Sequence, residues 1–377
     1  MKLIIAPDKF KNSLTGLEFC AAVETGIREI IPKVNIIKLP LADGGDGTIE
    51  VVNYYLKGEV IHVTVNNPFF KPVSASYLFA KSSKTAFIEM AEASGVKLLK
   101  PEALDCKNAT TFGTGELILD AINRGALNII LGIGGSATND CGIGMATALG
   151  YRFLDNDNKA VKPTGANLSH IKVIDASHVH PKLNEVNFNI ACDVNNPLYG
   201  ENGAAYVYAK QKGATPKDIE MLDKGLQDFS KLIVSKFGVN PQLIKGAGAA
   251  GGMGIASKVF LNGRLENGIQ LIKDLAEFDS KLSTADWVIT GEGRLDYQTL
   301  SGKTIMGVIN SAKSKNVKVA VFCGAIALEQ NKIKALGILH ADKVDNYAEN
   351  KADAITNGFT YVMQMARGFA QAYLVYK

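Results

Sequence analysis

Cysteine is scarce in this chain of 377 residues: Cys20, Cys106, Cys141, Cys192 and Cys323 lie far apart, and no C-x-x-C pair occurs. An odd, scattered set argues against a disulfide framework and against a zinc site, and it suits a reducing compartment. Long apolar runs are missing too; none approaches the roughly 20 residues of a membrane span. The opening Met1-Lys2-Leu3-Ile4-Ile5-Ala6-Pro7 has only a short apolar run, below the roughly 7–15 residues of a secretory core. The expectation is a cytoplasmic protein. There is no polybasic stretch, and the net charge is only +4, so neither nucleic acid nor a membrane is expected as a partner. Repeats and low-complexity tracts are also missing. Glycine is plentiful, at 37 residues against a usual share of about 7%. The glycines fall in short loops, which excludes a collagen repeat and points to backbone that approaches a ligand closely.

The order of elements suggests the fold. Leu3 to Ala6 reads as a buried strand. Thr15-Gly16-Leu17-Glu18 has the form of a capping box and opens a helix that Pro32 stops. Val34 to Leu39 reads as a second strand and Gly47 to Leu56 as a second helix, which argues for a parallel α/β sheet. Glu59 to Val65, Val73 to Phe79 and Thr85 to Met90 then follow without helices, the pattern of an antiparallel meander. A helix over Gly115 to Asn123 and a strand over Asn128 to Leu131 come next. A glycine-rich loop, a helix to about Leu149 and a hairpin over Tyr151 to Val161 follow. Further on, Val186 to Cys192 reads as a strand and Pro216 to Lys236 as a long helix. Strict alternation returns from Asp286 onward, ending in a helix over Asp353 to Tyr373. The expected architecture is an α/β domain built from both chain ends (1–66 plus 284–377) with a second, mixed α/β domain (67–283) inserted. The stretch 109–150 fits either.

Five glycine-rich loops hold or adjoin carboxylates: Asp43 to Thr48, Gly132 to Asp140, Asp193 to Gly200, Gly246 to Gly254, and Thr290 to Asp296 leading to Lys303. In an open α/β sheet ligands bind outside the carboxyl ends of the strands. Asp8, Asp43, Asp193 and Glu292 each follow an expected strand. Carboxylates beside glycine loops suit phosphoryl transfer: the loops hold phosphates, and the acids hold Mg²⁺ and accept a proton from an alcohol. Backbone N–H groups of Gly134, Gly135, Ser136, Ala137 and Thr138 could form an anion nest at a helix N-terminus.

Each loop also has a plainer reading. Gly246 to Gly251 fits G-x-G-x-x-G, but no clear strand precedes it, so close packing is the better reading. Gly132-x-Gly134-x-x-Ala137, with Asp155 further on, is the best case for an NAD-dependent dehydrogenase of a small hydroxy acid, although that acid lies in an apparent turn. A non-catalytic nucleotide or acid sensor would use the same loops without turnover. Gly302-Lys303-Thr304 imitates the end of a Walker A loop without its first glycine. His178 and His180 have no nearby cysteine or third histidine to complete a metal site, and Ser136 lacks the nucleophile elbow.

Taken together, the motifs resemble the bacterial glycerate kinase family. The matching pieces are Ala6-Pro7-Asp8, Phe10-Lys11 and Ser13-Leu14, then Ala42-Asp43-Gly44-Gly45 and Gly134 to Asp140. Ala191 to Val194, Asn196-Pro197-Leu198 and Gln211-Lys212-Gly213-Ala214 follow, then Gly246 to Gly252, Ile289 to Arg294, Asp296, Gln298-Thr299 and Gly302-Lys303. The resemblance implies a flavodoxin/Rossmann-like domain with a second domain inserted, ATP and Mg²⁺ as cofactors, and D-glycerate as acceptor. It favours the 2-phosphate as product and leaves the 3-phosphate open. Within that frame, loop position and chemistry suggest the roles. Asp193, or else Asp43, accepts the hydroxyl proton. Lys11 and Arg294, with Asp8 and Ser13, bind the acid substrate. Glu292 and Asp296 hold Mg²⁺, and Gly134 to Thr138 with Lys303 hold the phosphates.

Overall fold

The computed structural model describes residues 1–10, 12–42, 48–297, 299 and 304–375. By contacts the chain divides into an outer unit, Met1–Tyr55 with Ile269–Lys377, and an inserted unit, Leu56–Gly268. In chain order the strands among the described residues are β1 (Lys2–Ile5), β2 (Asn35–Lys38), β3 (Glu59–Asn66), β4 (Pro72–Ala80), β5 (Thr85–Glu89), β6 (Asn128–Gly132) and β7 (Arg152–Leu154). They continue with β8 (Val173–Asp175), β9 (Asn187–Ala191), β10 (Arg264–Glu266), β11 (Trp287–Leu295), β12 (Lys318–Ile326) and β13 (Ile338–Lys343).

The outer sheet runs β13-β12-β11-β1-β2, and every pair in it is parallel. Numbered within the unit this is the order 2-1-3-4-5, the flavodoxin-like doubly wound arrangement. A parallel sheet covered on both faces needs continuous apolar strands. In β1, Leu3, Ile4 and Ile5 are all fully buried, each worth about 2 kcal/mol of apolar burial. The helix Gly16–Arg28 starts where expected, with Thr15 Oγ1 accepting from the Glu18 N–H and the Glu18 carboxylate accepting from the Thr15 N–H.

The inserted sheet runs β10-β9-β6-β5-β4-β3. The β3–β4 and β4–β5 pairs are antiparallel and the rest parallel. Because β3 pairs along its length with β4, the contact boundary lies before it, at 55/56 rather than 66/67, and the second boundary lies at 268/269 rather than 283/284. The whole of 109–150 belongs to the inserted unit. The long helix Pro216–Phe237 carries Pro216 in its first turn, a capping box from Thr215 and Asp218, and left-handed Gly238 at its end.

Some local expectations change. The Tyr151 to Val161 hairpin is present but short, held by a Leu154–Ala160 bridge with the Val161 N–H donating to Phe153 O and the Asp155 N–H to Lys159 O, and β7 pairs as a strand with β8. The last expected helix is two, Lys351–Thr356 and Gly358–Tyr373, with the Asn350 side chain capping the first. No helix among the described residues is long and apolar enough to cross a membrane.

Candidate functional site

In a doubly wound sheet the ligand crevice opens where the strand order reverses. Here that point lies between β1 and β11. Beyond the end of β1 its segment stays beside β11, which runs on through the expected loop to Leu295: the Ala6 N–H donates to Ile289 O and the Asp8 N–H to Gly291 O, each at 2.8 Å. Gly291 is required, because a Cβ there would lie 2.0 Å from Phe322 O and 2.9 Å from the Phe19 ring. Asp8 and Glu292 thus emerge from neighbouring strands, both half-buried. The Asp8 carboxylate accepts from the Lys9 N–H at 2.7 Å and from Thr304 Oγ1 at 2.5 Å. Glu292 Oε1 accepts from Thr299 Oγ1 at 2.6 Å, and Thr299 Oγ1 accepts in turn from the Asp296 N–H at 3.1 Å.

Arg294 is exposed, with its Nε 3.5 Å from Asp296 Oδ2. Ser13 donates its hydroxyl to Ile355 O at 2.8 Å. Asp8, Lys9, Ser13 and Glu50 are among the residues lining a concavity of about 380 Å³ in this unit. Of the expected set, Lys11, Asp43 and Lys303 lie outside the described residues.

In the inserted unit the register aligns four strand ends: Glu89 with Gly132, Gly132 with Ala191, and Ala191 with Glu266. Glu89 and Glu266 therefore share one sheet edge with the glycine loop, and both are half-buried. Neither was among the expected site residues. Each ends its strand, but only the register of the sheet reveals the row. Asp193, two residues past β9, is exposed, and its Oδ1 accepts from the Gly268 N–H at 2.9 Å.

The loop after β6 departs from the expected anion nest in two respects. Only Gly134 and Gly135 face solvent, while Ser136 to Asp140 are buried. The Ala137 N–H is spent on Ser94 O, and Gly135 O accepts from the Val96 N–H, each at 2.9 Å. The Ala137 N–H is therefore not among the donors that could face a phosphate. The helix that follows, Ile143–Ala148, is short, and the group at its start is the Asp140 carboxylate. Fully buried, Asp140 accepts from the Thr111 N–H and hydroxyl, each at 2.8 Å, and from the N–H groups of Gly142 and Gly144 at 3.1 and 3.2 Å. Burial pushes its pKa up, and these four donors oppose that shift. An internal carboxylate has taken the position expected for an external anion, because a buried helix start must be satisfied locally.

Behind the loop lies Lys212, only 4% exposed. Its Nζ donates to Ser136 Oγ at 2.6 Å and to Thr138 O at 2.9 Å. The Gly246 to Gly254 segment packs against the same loop. A Cβ on Gly251, at φ +71°, would lie 2.2 Å from Thr138 O, and one on Gly248 would lie 2.1 Å from Pro197 O. Its glycines serve close packing. Asp155, the acid on which a dinucleotide reading depended, accepts from the N–H groups of Asp157 and Lys159 at 2.9 Å each; it is a turn former. Among the described residues no group of three or more His, Cys, Asp or Glu could hold a metal ion.

Comparison with known proteins identifies the family and the fold. The model of the glycerate kinase family matches residues 3–374. A glycerate kinase of Halalkalibacterium halodurans is 41% identical over 368 residues, covering 98% of this chain and 97% of that protein. A glycerate 2-kinase of Escherichia coli K12 is 41% identical over 345 residues, covering 92% and 89%. The crystal structure of a candidate glycerate kinase 2 from Salmonella typhimurium LT2 superposes with a TM-score of 0.88 at 41% identity, covering 99% of this chain and 98% of that one.

Proposed function

The chain belongs to the glycerate kinase family, and from that premise we propose that it transfers the γ-phosphoryl group of ATP to a hydroxyl of D-glycerate. The products are phosphoglycerate and ADP, with 2-phosphoglycerate favoured because a relative of 41% identity is a glycerate 2-kinase. The observation that carries the site assignment is the pair of carboxylates, Asp8 and Glu292, at the strand-order reversal of the outer sheet.

Phosphoryl transfer needs little covalent help from the protein; it needs positioning and neutralised charge. In the outer unit Arg294 and Lys11 are the cations for the glycerate carboxylate, Arg294 by a two-pronged grip. Asp8, oriented by Thr304, and Ser13 complete the acid-substrate set. Glu292 and Asp296 offer the hard oxygen donors that Mg²⁺ takes alongside phosphate oxygens and water. The bound ion neutralises charge on the phosphates.

In the inserted unit Gly134 and Gly135 present the exposed turn for phosphate oxygens, and Ser136 and Thr138 support it; Lys303 stays a phosphate cation by its place in the sequence motif alone. Asp193 is the first choice to accept the hydroxyl proton, ahead of Asp43. It is exposed at a strand end, and the Gly268 N–H steadies one of its oxygens. The five described cysteines are free thiols, all buried, which suits a cytoplasmic enzyme.

A coupled ADP-release assay with Mg-ATP and D-glycerate tests the reading, and NMR of the product identifies the esterified hydroxyl. Release of ADP dependent on D-glycerate is expected. Tight NADH binding with no ADP release would overturn the proposal in favour of a dehydrogenase.

A further inference from the structure

The buried Lys212 is a charged group to which the proposed chemistry gives no role. A lysine is almost never fully buried without a reason, and this one ends a single turn, Lys210–Lys212, closed by left-handed Gly213. Its ammonium has three N–H donors; two reach the loop after β6, at Ser136 Oγ and Thr138 O. The same stretch holds polar atoms with no hydrogen-bond partner among the described residues: Thr138 Oγ1 and both amide atoms of Asn139, in side chains of 0% exposure.

We propose that Lys212 is the positioning residue of the glycine loop: its ammonium fastens Ser136 and Thr138 from the interior and lends the exposed Gly134–Gly135 turn a positive charge for an incoming triphosphate. The inference rests on the reading of this loop as the phosphate seat. The titratable groups that act on Lys212 are the Cys106 thiol and the Asp140 carboxyl. Burial pushes both of these acids up, Cys106 to about 11. Desolvation pushes Lys212 down to about 8. Desolvation thus brings the charge of Lys212 within reach of mildly alkaline solution. Once the proton leaves, the loop keeps its shape but loses its charge.

The test is the KM for ATP from pH 7 to pH 9, measured with the intact enzyme. In the wild type KM rises several-fold, with a midpoint near 8, while kcat changes less. Lys212→Met has the raised KM throughout and no midpoint. Ser136→Ala keeps the ammonium and loses one anchor, so it shows a smaller rise in KM and keeps the midpoint; it serves if Lys212→Met does not fold. A pH-independent KM in the wild type, or a folded Lys212→Met with the wild-type profile, would overturn the proposal.

Gly134→Val separates this from the underlying reading. A Cβ at Gly134 meets nothing within 4 Å, so the fold is kept while the turn is covered. An unchanged KM for ATP in Gly134→Val would sink the phosphate seat itself. A raised KM there, with Lys212→Met behaving as wild type, would sink only the role of Lys212.

Discussion

In the outer unit the strand order reverses between β1 and β11, and two half-buried carboxylates, Asp8 and Glu292, emerge at the reversal. In the inserted unit each successive strand adds on the same side, from β3 to β10, so there is no reversal. The carboxylate within its glycine loop, Asp140, is fully buried and accepts from four donors of its own unit. Both sets are acids near the carboxyl ends of parallel strands, yet one arrangement presents the acid and the other consumes it. The difference comes from the space around the strand ends. A reversal parts the connecting segments and opens a crevice; without one, the Gly246 to Gly254 segment closes over the loop.

The comparison can be broken at several points. The largest effect is expected at Asp193, the exposed acid of the inserted unit. Asp193→Asn should lower kcat about a thousandfold, the usual range for a lost general base, with Tm unchanged because the amide oxygen still accepts from the Gly268 N–H. Near-normal turnover would move the proton to Asp43. Asp140→Asn should act on stability instead, costing about 3 kcal/mol as an amide NH₂ is turned against buried donors. Chemical denaturation measures it, and an unmoved midpoint would erase the contrast between the two sheets.

Glu292→Gln should keep Tm, lower kcat about a hundredfold and raise the Mg²⁺ concentration needed for half-activity, consistent with a lost metal oxygen. Thr304→Val removes the hydroxyl that orients Asp8, worth about 1 kcal/mol, and should appear as a several-fold rise in KM for glycerate. The smallest effect is a pH dependence of stability. Burial among Phe322, Phe369 and Tyr373 holds the His340 pKa below its ordinary value of 6.5. The unfolded chain takes up that proton first as pH falls. The contribution of His340 is therefore complete above about 6.5 and lost as pH drops from there toward the lower folded value. Thermal scans of His340→Phe should lack this decline.

Much of the fold was legible in advance. The Thr15 capping box, the apolar strands β1, β6 and β11, and the loss of helices after residue 58 are local signals. The strands that escaped notice, β8, β10 and β13, are short or polar: Arg264-Leu265-Glu266 and Ile338-Leu339-His340-Ala341-Asp342-Lys343 become strands because a neighbour pairs with them. Asp8 and Glu292 could be picked out because each closely follows an apolar run, although β11 continues past Glu292 to Leu295. Glu89 and Glu266 could not, since their significance depends on register, which local pattern does not carry; Lys212 stood in the Gln211 to Ala214 piece of the resemblance, but its burial did not show there.

By itself the amino-acid order determined the alternation of elements, the split of one α/β unit by another, and which loops carried glycine and acid together. Hydrophobic period and capping act over a few residues, and they are written in the chain. Only the tertiary structure decided which acid stands in a crevice and which is enclosed, and that a lysine far along the chain holds the glycine loop. Burial and the satisfaction of polar groups are properties of the whole packed unit, set by segments that meet only once it has folded.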